Sequence, residues 1–249
     1  MKIFSSRSVV VIGFCLFAIS SQAQVPSINS VKLEPRFWSD IPGATIVTAA
    51  NYPSQILFYE VGVSAPTGWA NRDLWRFSND GGATAYAFGN NDFFQASMTL
   101  TLTGTPISPR KEAGFILNSI GGDGQFIVNT DSHEVVAFGG PFPFYAFPST
   151  FDSGETITLG LHYFLNGDGK RAIIYTANGV SSPPLEFTNL EQGIIDGSTL
   201  GGYFQIVSDP ANPFNGGSAL FQNITIVPEP STLALLSVGL LGLLARRRG

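Results

Sequence analysis

Apolar and polar residues alternate with a period of two along the middle of the chain. Phe94, Ala96, Met98, Leu100 and Leu102 interleave with Gln95, Ser97, Thr99, Thr101 and Thr103. This puts one apolar and one polar face on a strand, whereas a helix would scatter the same residues around its axis. Ile157, Leu159, Leu161, Tyr163 and Leu165 repeat the pattern, Asn166-Gly167-Asp168-Gly169 supplies residues that tolerate positive φ, and 171–177 returns as a second strand. The spacing predicts a β-hairpin. Further strands are predicted over 55–63, 83–88, 113–118, 125–130, 134–138, 203–207 and 219–226, with turns at Gly121-Gly122-Asp123-Gly124 and Asn129-Thr130-Asp131-Ser132. Residues 24–50 fit either a strand that closes the fold or a loosely held arm.

About ten short strands without a convincing amphipathic helix predict an all-β, antiparallel sandwich or barrel. No repeat of about 20 to 50 residues is visible, which argues against a propeller or solenoid. The strand rhythm over 112–139, the hairpin around Asn166 and the final strand over 219–226 are similar to the concanavalin-like jelly-roll sandwiches of lectin and laminin-G type. That resemblance spans residues 70–226 and implies a jelly-roll-like β-sandwich.

Both ends of the chain depart from the strand pattern. Lys2 and Arg7, the apolar run 9–19 and Ser21-Gln22-Ala23 ahead of Gln24 have the three-part order of a secretory signal peptide, residues 1–23. The one cysteine, Cys15, falls inside that apolar run, so residues 24–226 have no thiol chemistry and no disulfide. At the other end, Pro228-Glu229-Pro230 precedes an uncharged, leucine-dominated run over 233–245, followed by Arg246, Arg247 and Arg248. At about 1.5 Å per residue this run spans roughly 20 Å against a hydrocarbon core of about 30 Å, so it reads as a short, transient transmembrane helix. The three arginines act as a membrane stop on the cytoplasmic side. The tripartite ending, residues 227–249, resembles the PEP-CTERM sorting signal of exported bacterial proteins. The resemblance implies an exosortase-type processing enzyme as partner at Pro228, Glu229 and Pro230. It also implies transient anchoring in the membrane and delivery to the cell envelope or extracellular matrix.

The remaining domain, residues 24–226, carries eight Lys or Arg against seventeen Asp or Glu, a net charge of −9. So few cations exclude nucleic acid as an expected partner. Catalytic patterns are scarce. His133 and His162 are the only histidines and fall on separate segments, and no Gly-x-Ser-x-Gly elbow is present. Glycoside hydrolysis needs two carboxylates flanking the scissile bond, yet Glu112, Glu134, Glu186 and Glu191 show no strand spacing that would pair them. No metal-ligating motif is identified. Asn79-Asp80-Gly81-Gly82, Asn90-Asn91-Asp92 and Asn166-Gly167-Asp168-Gly169 offer oxygens of the kind calcium takes, and the same residues serve as ordinary turn formers.

Aromatic residues mark the candidate ligand-binding surface. Trp69 and Trp75 flank Asn71, Arg72 and Asp73, read here as a polar loop, and Phe142, Phe144 and Tyr145 lie in a Gly/Pro-rich segment. Such rings stack on sugars, although large aromatics also plug sandwich ends. The expectation is an exported, non-catalytic surface or exopolysaccharide-associated protein that binds glycan. The alternative is an extracellular glycoside hydrolase or polysaccharide lyase on the same fold.

Overall fold

The computed structural model describes residues 27–188 and 193–229. The proposed signal peptide, Pro230, the apolar run and Arg246 to Arg248 lie outside the described residues. In chain order the strands are β1 (Ser30–Ser39), β2 (Thr45–Asn51), β3 (Gln55–Val61), β4 (Ala70–Ser78), β5 (Phe94–Thr105), β6 (Lys111–Ser119), β7 (Gly122–Asn129) and β8 (Val135–Phe138). They continue as β9 (Tyr145–Ala146), β10 (Thr156–Leu165), β11 (Arg171–Ala177), β12 (Val180–Ser181), β13 (Leu185–Glu186), β14 (Thr199–Val207) and β15 (Gly216–Pro228).

These strands form two antiparallel sheets. One runs β1-β4-β14-β6-β7-β8-β9, and the other β12-β11-β10-β5-β15-β3-β2, with β13 paired to β11. The alternation in β5 works as expected, since Phe94, Ala96, Met98, Leu100 and Leu102 are buried while the residues between them are not. The predicted hairpin is β10 and β11, paired from Leu165 opposite Arg171 to Leu159 opposite Ala177. The ambiguous 24–50 segment supplies an edge strand to each sheet, as β1 and β2. Residues 83–88 form no strand; Phe88 makes only an isolated bridge to Ser198, its ring buried against Tyr86 and Phe94.

The largest correction concerns 70–78. Asn71, Arg72 and Asp73 are not a loop but belong to β4, which lies between β1 and β14. Successive side chains of a strand point to opposite faces, so Trp75 and Phe77 enter the core while Arg72, Leu74 and Arg76 face outward. Trp75 is fully buried, edge-on to Phe77 at 5.2 Å and to Phe221 of the opposing sheet at 5.8 Å. Gly202 of β14, directly opposite, makes room for it, because a Cβ there would stand 2.4 Å from the indole nitrogen.

A buried polar cluster seats β1 on this core. The register of β1 with β4 breaks between Glu34 and Trp38, where Arg36 takes a left-handed φ of 54°. The Arg36 amide donates to Asp73 Oδ1 at 2.7 Å, and its guanidinium donates to the carbonyls of Pro42 and Ala44. Asn71 donates to Glu60 Oε1 at 2.6 Å and holds the backbone of Ile41 from both sides. Glu60 and Asp73 are both inaccessible, and the second oxygen of each carboxylate has no hydrogen-bond partner. Burial, reinforced by the neighbouring Asp73 charge, raises the Glu60 pKa to about 7; burial raises that of Asp73 to about 6.

A folded-state pKa above the unfolded value means that the native state holds the proton more tightly. The stability it contributes is present at low pH and lost as pH rises through the folded pKa. Glu60 alone should therefore account for a loss on the order of 3 kcal/mol of stability between about pH 4.5 and about pH 7, with Asp73 adding to the fall in the same direction. Urea unfolding across that range measures it, and Glu60→Gln should flatten the fall. A midpoint that rises with pH would contradict the assignment.

Candidate functional site

Residues directly opposite in an antiparallel pair share a face, so the register of the seven-stranded sheet lays out its outer surface in rows. One row runs Trp38, Arg72, Gln205, Glu112, Asn129 across β1, β4, β14, β6 and β7. Its hydrogen bonds follow the same order, with Arg72 Nε donating to Gln205 at 2.9 Å and Gln205 Nε2 donating to Glu112 at 2.8 Å. The next row holds Glu34, Leu74, Tyr203, Gly114, Ile127 and Val136. Leu74, Tyr203, Ile116, Ile127 and Val136 form a small apolar cluster, separate from the main core, with Phe138 packed against it.

The charges on this face are spent on one another. Arg72 lies 3.5 Å from Asp123 and 5.5 Å over the Tyr203 ring. Arg76 binds Glu34, Asn118 and Thr199, and its guanidinium sits 5.1 Å over the Phe37 ring. Arg110 gathers Asp131 at 3.0 Å, Glu134 at 3.3 Å and Glu112 at 3.5 Å. Burial raises the Glu112 pKa. The Tyr203 hydroxyl is pushed well above its ordinary value of 10.0 by full burial and by the Glu112 charge beside it. It has no hydrogen bond of acceptable geometry. Neither histidine reaches this face. His133 bonds the Phe151 carbonyl and lies 2.8 Å from Asp152, and His162 is on β10 of the other sheet.

Exposed aromatics rim the face at its β1 edge. Phe37, Trp38 and Trp69 are 51%, 38% and 55% exposed, and the Trp38 and Trp69 rings meet at 5.5 Å, tilted by 50°. The Trp69 amide donates to Asp40 Oδ2 at 2.8 Å, which fixes the two segments together. Of the five aromatics expected to bind ligand, Trp69 and Phe144 are exposed, and Tyr145 is partly buried edge-on against Phe147. Trp75 and Phe142 are interior and cannot present a ring to a ligand. Trp75 sits at an inward position of β4. Phe142 is folded back by the Phe142 amide to Gly139 carbonyl bond, its ring over Gly124 and against Tyr175. Phe37 and Trp38 escaped the sequence reading because Pro35 and Arg36 interrupt the alternation of β1.

The calcium-like loops use their oxygens locally. Asp80 accepts from the Thr84 amide and from the Ser78 and Thr84 hydroxyls, and Asn166 accepts from the amides of Asp168 and Lys170. Asp92 accepts from the Gly89 amide and the Tyr86 hydroxyl. Among the described residues no three His, Cys, Asp or Glu side chains are grouped to hold a metal ion, and no helix is long and apolar enough to cross a membrane.

Residues 227–248 match the family model of the PEP-CTERM protein-sorting motif, which implies an exported cell-surface protein processed by an exosortase. No curated protein matches the chain. Among solved structures, the alginate lyase AlgAT5 of polysaccharide lyase family 7 superposes with a TM-score of 0.55 at 9% identity, covering 81% of this chain and 95% of that one. An alginate lyase from Pseudomonas aeruginosa gives 0.55 at 12% identity, covering 82% and 100%. Alginate lyase A1-II′ of the same family gives 0.50 at 11%, covering 81% and 95%. At such identities the likeness shows the fold alone, a concanavalin-like β-sandwich.

Replacing Pro228, Glu229 and Pro230 with alanine should leave the unprocessed precursor in the membrane fraction. Immunoblotting of fractionated cells reads this directly, and unchanged processing would remove the sorting assignment.

Proposed function

We propose that the sandwich is a non-catalytic module that binds polysaccharide at the cell surface or in the exopolysaccharide, where the sorting motif delivers it. The observation that carries this reading is the Trp38 and Trp69 pair, exposed at the edge of a face whose charged groups are mutually bound. Tilted rings at that edge offer apolar surface to the faces of sugar rings, with the partly exposed Arg72 next in the same row.

A lyase or hydrolase on this face is the alternative, favoured by the printed activities of the structural neighbours. Either needs a group that takes or gives a proton near neutral pH. Tyr203 is held protonated by burial and by Glu112, Glu112 is tied to Gln205, and no imidazole is present on the face. These features support binding without turnover.

Affinity electrophoresis of the signal-free domain through alginate and through a neutral β-glucan tests the proposal. Retardation is expected in one of the two gels, weakened about tenfold or more by Trp38→Ala or Trp69→Ala, in line with loss of a stacking aromatic at a binding hot spot. Unsaturated or reducing ends should not accumulate. Product formation that Tyr203→Phe abolishes would establish the enzymatic alternative instead.

A further inference from the structure

The last strand does not stop at the edge of the domain. β15 keeps register with β5 through Val227 opposite Gln95 and Pro228 opposite Phe94. The Glu229 amide then donates to the Phe93 carbonyl at 3.0 Å, and its carboxylate accepts from Nε2 of His162 on β10. His162 is itself stacked on Phe164, ring centroids 4.6 Å apart. The His162 and Glu229 side chains are 29% and 27% exposed, so both are largely covered. Two residues of the sorting tripeptide are thus part of the sandwich, with no linker between domain and motif.

We propose that this docked end is a clasp, and that processing of the sorting motif requires local release of the C-terminal end of β15 from β5 and His162. The inference rests on the sorting reading. A processing enzyme that reads Pro228-Glu229-Pro230 must reach the Glu229 carboxylate and main chain, and in the docked state those groups are held by His162 and Phe93. The geometry confines the opening to the strand end. The register of β15 on β5 breaks between Gln222 and Thr225, where Asn223 has a φ of 51°. A bulge of this kind interrupts the ladder and leaves 225–229 as a short outer segment of it. Pro228 contributes no amide donor to that segment. Residues 216–222, paired on both sides by β3 and β5, stay in place when it lifts, as expected of a low-stability local opening.

Pulse-chase labelling of the full-length precursor in its exporting host tests the clasp. His162→Ala should speed conversion to the processed form roughly fivefold, the factor expected from losing one hydrogen bond that holds the closed state. A flexible Gly/Ser spacer of about ten residues between Val227 and Pro228 should speed it similarly, and His162→Ala should then add nothing. A distant core variant, Val128→Ala, which destabilises the whole domain by leaving a cavity in its core, should leave the rate unchanged. Wild-type conversion rates in both His162→Ala and the spacer chain overturn the clasp, as does equal acceleration by Val128→Ala, which would trace the effect to global unfolding. Absence of conversion in the wild-type chain itself would overturn the sorting reading beneath it.

Discussion

The seating of Trp75 on Gly202 is the constraint from which the rest of the architecture follows. An indole occupies the gap between the sheets only if the strand beside it leaves space, and a Cβ at position 202 of β14 would overlap the ring. Shape carries the contact, since the buried indole N–H has no acceptor, a cost of about 1 to 3 kcal/mol that the surrounding burial must offset. With the indole in place, β4 and β14 are locked in register, and Phe77 and Phe221 close around it from the two sheets. The parity of β4 is then set, and Arg72, Leu74 and Arg76 have to appear on the outer face.

That outer face shows how few charges can be arranged without leaving one unbalanced. Cations on a half-buried sheet surface are costly unless carboxylates or amides meet them. Here Arg72 and Arg76 are matched by partners from other strands, and Arg110 by Glu112 two residues on and by Asp131 and Glu134 of the turn between β7 and β8. The pairing orders the surface. The same economy appears inside the sandwich, where Glu60 and Asp73 sit beside a single arginine whose nearest approach to Glu60 is 3.9 Å. One positive charge at that distance cannot hold two buried carboxylates ionised, so a proton completes the balance.

Much of the fold was legible in the sequence because period-two alternation is a local signal, and β5 and the β10–β11 hairpin carry it without interruption. β4 was not legible for a definite reason. It is buried on both faces, so Asn71 and Asp73, which serve the internal cluster, and Arg72 and Arg76, which serve the outer one, look like a polar loop when the partners are unseen. β1, one of the two alternatives open for 24–50, was obscured for a different reason. Its bulge at Arg36 shifts the pattern by one residue, and a one-residue shift exchanges the two faces. For the candidate site, Trp69 was legible as an aromatic beside polar residues, but its neighbour Trp38 depends on pairing across a sequence separation that no local pattern reveals. The sorting motif, by contrast, was read completely, because its order of tripeptide, apolar run and arginines is linear.

The position of β15 joins folding to sorting. It is the last described strand, yet it lies in the middle of the eight-stranded sheet, with β5 on one side and β3 on the other. Until it arrives, both neighbours present an unpaired edge, the arrangement that invites wrong pairing. During export, β5 and β3 precede it in the chain, so the sheet can close only when residues immediately ahead of the sorting tripeptide have emerged. A linker would let the domain fold while the tail was still held. Here the strand that completes the core and the motif that directs the protein are one continuous segment, so completion of the fold and presentation of the motif draw on the same few residues, Val227 to Glu229.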